Sequence, residues 1–296
     1  MIAALALAFG AAAYAQTDDP NTGNPATSAP PAASDKAMQR DRLPDAWHAM
    51  RASKLIGKEV RNAQGQKLGK IEDVVVDVNN DEIYYAVLSF GGFMGMGDKL
   101  FAYPVRVFQQ GQANGTLVLD VDKQKLKDAP GFETKRWPSW NKDQYRKQVD
   151  TYYGDQVALQ PKPNMLLRRA SNLVGADVLD QGGKDVGDIK DLVMDMQTGK
   201  VQFAAVKFDK GWGKPDQWTE LPLRAFHPST DERGKLVLRV NQEQIATAPG
   251  FPANRWPNME GSYRSDVDAW FTGLGVDTTA ASTDRVPADG APRQQQ

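Results

Sequence analysis

The chain has 296 residues, room for two domains of ordinary size, and its 41% hydrophobic and 25% charged residues are the composition of a folded protein. Lys and Arg number 36 against 37 Asp and Glu, so a net charge of −1 lacks the cationic excess on which nucleic-acid binding depends. Zero cysteines exclude disulfides, thiolate metal sites, cysteine nucleophiles and a lipoprotein anchor, and two histidines leave little material for metal or acid–base chemistry.

Residues 1–15 (MIAALALAFGAAAYA) are an apolar run ending in the small-x-small pattern Ala13-Tyr14-Ala15, and the polar Gln16-Thr17-Asp18-Asp19 follows at once. This reads as a secretory signal peptide, which sets the expected location as the periplasm. At ~1.5 Å per residue a helix of this length falls short of a ~30 Å hydrocarbon core, which weighs against a transmembrane span. A positively charged start is missing, so a true start upstream of Met1 and an uncleaved N-terminal anchor stand as alternatives. Residues 16–44 are rich in Pro, Ala, Thr, Ser and Asn and lack the large apolar side chains that offset ordering entropy, so they read as a disordered linker. The tail, residues 276–296, has the same character.

Residues 45–154 carry short β-branched runs separated by turn residues. Lys58–Arg61 leads through Asn62-Ala63-Gln64-Gly65 into a long strand over Leu68–Val78. Asn79-Asn80-Asp81 turns the chain, Ile83–Phe90 returns beside it, and shorter strands follow near Leu100–Tyr103 and Leu117–Val121. About six strands in roughly 75 residues are most easily stabilised by curling shut, because closure removes exposed edges. After Ala129-Pro130-Gly131-Phe132, Tyr145, Val149, Tyr152 and Tyr153 stand at helical spacing and predict a short amphipathic helix.

The same pattern then returns. After a linker at 155–168, residues 169–275 repeat the first copy at an offset of 118: Arg51-Ala52-Ser53 becomes Arg169-Ala170-Ser171, and 12 of the 28 residues from 51 to 78 are identical to their counterparts. Beyond one inserted residue, Arg136-Trp137-Pro138 returns as Arg255-Trp256-Pro257, and the helical stripe as Tyr263, Val267, Trp270 and Phe271. A period this long exceeds the roughly 20–50 residues of solenoid units, so these are two copies of one domain. The fold class is therefore mainly all-β, two tandem small barrels each followed by a short helix. Equal halves suggest a pseudo-dimer, with the barrels packed across their aromatic helices as in an isologous interface.

Leu55-Ile56-Gly57-Lys58-Glu59-Val60, Gly65, Leu68-Gly69-Lys70-Ile71, Asp73-Val74-Val75-Val76-Asp77, Tyr85-Ala86-Val87 and Pro104 resemble the PRC-barrel domain. Leu173-Val174-Gly175, Gly187-Asp188-Ile189-Lys190-Asp191, Asp195 and Pro222 form the second set. That module occurs in the cytoplasmic part of the photosynthetic reaction-centre H subunit and at the C-terminus of a ribosome maturation factor. The resemblance covers residues 51–132 and 169–251 and implies a barrel used for protein contacts and assembly, without a shared catalytic site.

Asp73 with Asp77, repeated as Asp191 with Asp195, are the most conspicuous carboxylates. Four residues apart on a strand they lie about 13 Å from each other, beyond the ~5–9.5 Å of paired acid–base carboxylates. They read as solvent-facing strand residues and turn stabilisers; a Ca²⁺ site with Asn79, Asn80 and Asp81 is the alternative, weakened in the second copy by Gln197-Thr198-Gly199. Gly91–Lys99 lacks the Gly-Lys-Ser/Thr ending of a phosphate loop, and no Ser/His/Asp set, H-E-x-x-H or G-x-S-x-G motif is present. The expectation is no catalytic residue, no cofactor and no metal.

The Gly-rich loops bear large apolar residues, Phe93, Met94 and Met96 in one copy and Trp212 with Trp218 in or beside the other, and these are the candidate partner-binding residues. A loop folding over its own barrel is the competing account. Lys123, Lys125, Lys127, Lys135 and Arg136 offer a local basic cluster for peripheral contact with an anionic membrane surface, or simply a solvated face. The function expected is that of an exported, non-catalytic interaction or scaffold protein of the bacterial cell envelope, with a protein partner and no nucleic acid. The alternative is a periplasmic protein binding a small ligand or a divalent metal.

Overall fold

The structure, a computed structural model, describes residues 49–90, 99–111, 116–121, 123–154, 161–259 and 261–276, all within one compact unit. The expected signal peptide, the linker at 16–44 and the tail beyond 276 lie outside the described residues.

The first half runs β1 (Met50–Arg51), α1 (Ala52–Leu55), β2 (Glu59–Arg61), β3 (Lys67–Asp77), β4 (Glu82–Ser89), β5 (Lys99–Pro104), β6 (Phe108–Gln110), β7 (Leu117–Leu119), α2 (Lys123–Asp128), β8 (Gly131–Glu133) and α3 (Asp143–Tyr153). The second half repeats it as β9 (Leu167–Arg169), a 3-10 turn over Ala170–Asn172, β10 (Asp177–Leu179), β11 (Asp185–Asp195), β12 (Lys200–Phe208), β13 (Gln217–Leu221), β14 (Phe226–Pro228), β15 (Leu236–Leu238), α4 (Gln242–Thr247), β16 (Gly250–Pro252) and α5 (Gly261–Gly273). Each half is a curled sheet, ordered β6-β7-β2-β3-β4-β5-β8 and β14-β15-β10-β11-β12-β13-β16.

Two pairings depart from a simple meander. β2 runs parallel to β7, and β10 to β15, joining the two ends of the sequence pattern in each barrel. The Ala-Pro-Gly-Phe segments contribute the short strands β8 and β16.

The curl has a local cause. Both long hairpins shift register twice, at Ile71/Asp73 and Val75/Val76 in β3 and at Ile189/Asp191 and Val193/Met194 in β11, and such bulges bend and twist a strand pair. The first bulge also exchanges faces, so that Ile71, Val74 and Val76 point into the barrel while Asp73 and Val75 point out. Gly69 and its counterpart Gly187 allow the long strands to cross closely. A Cβ would lie 2.0 Å from the Ser89 carbonyl oxygen at the first and 2.3 Å from that of Lys207 at the second.

Both faces of each sheet are covered. One continuous interior cluster runs through both barrels, including Ile71, Phe101 and Tyr103 in one and Ile189, Leu221 and Phe226 in the other. On the outer face of the first barrel, Val149 of α3 packs with Val75, Tyr84, Tyr85 and Trp140. On that of the second, Val267 and Phe271 of α5 pack with Val193, Phe203, Phe251 and Trp256. Two-sided burial is why β4 and β12 are nearly uninterrupted apolar runs.

Candidate functional site

The polar residues that recur in both copies converge on the junction between the barrels. β1, which leads into the first barrel, pairs with β11 of the second, and β9, which leads into the second, pairs with β3 of the first. Residues 167 and 168, expected to be linker, thus form with Arg169 a strand of the junction.

Each incoming strand brings a serine to the opposite barrel. Ser53 donates from its hydroxyl to Asp191 Oδ2 at 2.5 Å and from its backbone N–H to Oδ1 at 3.1 Å. Ser171 does the same to Asp73, at 2.5 and 3.1 Å. The Arg preceding each segment finds an aromatic face across the same junction: Arg51 lies 4.8 Å from the Trp256 ring centroid and Arg169 4.5 Å from that of Trp137. Loss of either guanidinium, in Arg51→Ala or Arg169→Ala, is expected to lower stability by about 1 kcal/mol, read as a lower urea midpoint, with lysine restoring only part of it.

A third set lies where β4 meets β12. Lys200 is the Cα partner of Glu82, Ile83 N–H donates to Gly199 O at 2.8 Å, and Val201 N–H donates to Asp81 O at 2.9 Å. Glu82 accepts from Lys200 at 2.6 Å and from Lys162 at 2.7 Å. Asp81 forms an ion pair with Arg224. The serine–aspartate contacts and the backbone bonds of β4 with β12 obey one rule, residue i touching residue j + 118 and residue j touching i + 118, and the arginine–tryptophan contacts obey it with Trp256 standing 119 residues after Trp137. This is a pseudo-twofold relation, to which Arg224 and Lys162 add contacts with Asp81 and Glu82.

The four recurrent aspartates are consequently not solvent-facing. Asp73, Asp77, Asp191 and Asp195 are 2%, 0%, 3% and 8% exposed. Asp73 and Asp191 do lie on the outer face, but the incoming segment of the other half covers them. Asp77 accepts from the N–H groups of Asn79 and Leu166 and from Asn80 Nδ2. Asp195 caps its own turn through the N–H groups of Gln197 and Thr198. Burial pushes the Asp73 and Asp77 carboxyls upward, partly countered by these donors. Among the described residues, no group of three metal-ligating side chains is assembled.

The aromatic helices, expected at the junction, cover the outer faces of their own sheets instead. They meet the other half through residues of its incoming segment, Leu167 beside α3 and Ala49 beside α5.

Phe93, Met94 and Met96 lie outside the described residues. Trp212 is half-buried and stacks on Phe208, with ring centroids 6.3 Å apart, against the barrel interior. Trp218 belongs to β13 rather than to a loop, and its ring meets Phe251 and Trp256 at 6.1 and 5.3 Å. His227 Nδ1 lies 3.0 Å from the carbonyl oxygen of its neighbour, Pro228.

A groove of about 560 Å³ opens where β9 and the turn after it meet the 229–235 loop, lined among others by Arg168, Arg169, Asn172, Ser229, Arg233 and Lys235. Lys235 is already engaged by Glu232 at 2.8 Å, with Asp177 and Asp185 at 3.7 and 3.8 Å. With Lys235 so engaged, Arg168, Arg169 and Arg233 against Asp231 still leave the lining cationic on balance, and Leu173, Pro228 and Leu236 form its apolar part.

One buried acid stands apart from the repeat. Glu220 of β13 is wholly buried beneath α5, and its counterpart at −118 is Ala102. Its Oε1 accepts from the Tyr263 hydroxyl at 2.5 Å, its Oε2 has no hydrogen-bond partner among the described residues, and burial pushes its carboxyl up to about 7. No motif in the sequence marks it; only the exchange of an alanine for an acid at matching positions does.

Two curled sheets, built alike and related by a pseudo-twofold axis, define a tandem small-barrel protein. The PRC-barrel domain model matches residues 48–126 and again 165–244, together more than half of the chain, and the chain belongs to that family. No curated protein matches the chain. The family is a non-catalytic fold family of the general protein-interaction type.

Proposed function

We propose that this chain is an exported, non-catalytic scaffold of the bacterial envelope, in which two PRC barrels are fused into one rigid interaction platform. The observation that carries the reading is the use made of the recurrent polar residues. Ser53, Ser171, Asp73, Asp191, Arg51 and Arg169 are all spent joining the halves, so the features retained in both copies serve assembly rather than a reaction. Export rests on the apolar run 1–15 and its small-x-small ending.

The candidates left for a partner are the places in which the copies differ: in sequence, residues 91–98 with Phe93, Met94 and Met96, and in the structure, the segment around Trp212 and the groove beside Arg233. A photo-crosslinking residue placed in living cells at Phe93, Trp212 or Arg233 is expected to capture one and the same envelope protein from at least one position. A control at Lys67, on the exposed start of β3, is expected to capture none. Adducts equally abundant at all positions, or a chain that fractionates with the cytoplasm, overturn the proposal. The groove's volume falls within the range of small-molecule sites and supports a second reading, a polar small ligand held there. Calorimetry with candidate ligands on the full chain and on Arg233→Ala separates the two.

A further inference from the structure

The surroundings of Glu220 make it a group with two states. On β12 its cross-strand partner is Ala205, and beyond it Asp191 of β11, about 10 Å away by strand spacing, is held by Ser53. On β16 the neighbouring residues are Gly250 and Phe251, which carry no charge. Trp256 packs nearby with Arg51 over its ring. From α5 come the Tyr263 hydroxyl and Arg264, whose Nε is bonded to Asp268 at 2.7 Å. Among the described residues the carboxyl thus has one short hydrogen bond, one orphaned oxygen and no ion-pair partner.

A neutral carboxyl fits such a place, whereas an ionised one leaves a buried charge half-satisfied. The first barrel contains the same helix docking without the acid: Ala102 replaces Glu220, and the Tyr145 hydroxyl donates to Pro130 O at 2.9 Å. We propose that Glu220 and Tyr263 form a proton-operated latch on α5, in which the protonated carboxyl holds the helix on the second barrel and ionisation loosens it, exposing Val267, Phe271, Trp218 and Trp256. The two halves therefore differ in purpose, α3 being a fixed cover and α5 a releasable one.

The sign follows from burial. A carboxyl raised from the ordinary value of 4.5 to about 7 contributes its full stabilisation below the ordinary value, and loses it as the pH rises through about 7. Hydrogen exchange of the full chain, corrected for intrinsic rates, tests this at pH 5.5 and 8.5. Protection of residues 261–273 is expected to fall on the order of tenfold or more at the higher pH, while residues 143–153 keep theirs. In Glu220→Gln the drop is expected to vanish. In Tyr263→Phe, which removes the donor favouring the ionised form, its midpoint moves upward. Should Glu220→Gln fail to fold, a ¹³C titration of glutamate carboxyls in the wild-type chain reads the group directly, with one midpoint near 7. Equal protection of α5 at both pH values, a drop that survives in Glu220→Gln, or carboxyls that all titrate below about 5.5 overturn the latch.

Discussion

Replacing Ser53 and Ser171 together by alanine is expected to destabilise the chain by about 3–5 kcal/mol at pH 7.5. Each substitution leaves a buried carboxyl without its hydroxyl donor, a loss of roughly 1–3 kcal/mol per group and more when the group is charged. Asp73 and Asp191 retain backbone N–H donors from their own following residues and from the incoming segment, and Asp73 also keeps the Arg169 guanidinium at 4.0 Å. The cost is expected to depend on pH. Burial raises the Asp73 carboxyl, and the Ser171 hydroxyl favours its ionised form, so removing the hydroxyl raises it further. The penalty is full where the carboxyl is ionised and shrinks as acidification protonates it. Urea unfolding of the double variant and of each single one measures this, with threonine at both positions restoring most of the loss. A double variant within about 0.5 kcal/mol of the wild type would show that the serines do not hold the barrels together.

What can be read from the residues depends on whether their partners are near in sequence. The hairpins of β3 with β4 and β11 with β12 are legible because turn residues and long apolar runs lie side by side in the chain, and the duplication confirms them internally. β1 and β9 are not. At two and three residues they have no periodicity, and their partners lie in the other half. The misplacement of Asp73 and Asp191 has the same origin: alternation places a side chain on a sheet's outer face but cannot tell whether water or another segment covers it. Their meaning was nevertheless present in the repeat. A serine and an aspartate retained at matching positions, with an arginine and a tryptophan, are the marks of contacts made twice about one axis. Glu220 has the opposite signature, an acid where the other copy has Ala102, and only the covering helix gives it a role.

The residues nearest the pseudo-twofold axis lead to the second large effect, for the charge reversal Glu82→Lys. On such an axis a position meets its own counterpart, so two identical barrels would place like beside like. Here the counterparts are Glu82 and Lys200, which attract. Burial works to raise the Glu82 carboxyl, and hydrogen bonds from Lys162 and Lys200 outweigh it, leaving the group below its ordinary range. Glu82→Lys gathers three ammonium groups at one point and is expected to cost about 2–3 kcal/mol, moderated because the lysine side chains are 42% and 45% exposed. The double exchange Glu82→Lys with Lys200→Glu re-forms the pair with its ends reversed, but only in part, because Lys162 reaches Glu82 alone and repels its replacement. A double-mutant cycle is expected to give a coupling above about 1 kcal/mol that falls in 1 M salt. The wild-type pair loses its contribution as acidification passes the depressed value of Glu82, opposite in sign to the latch at Glu220. If the double variant is no more stable than Glu82→Lys, the two charges are not coupled across the axis.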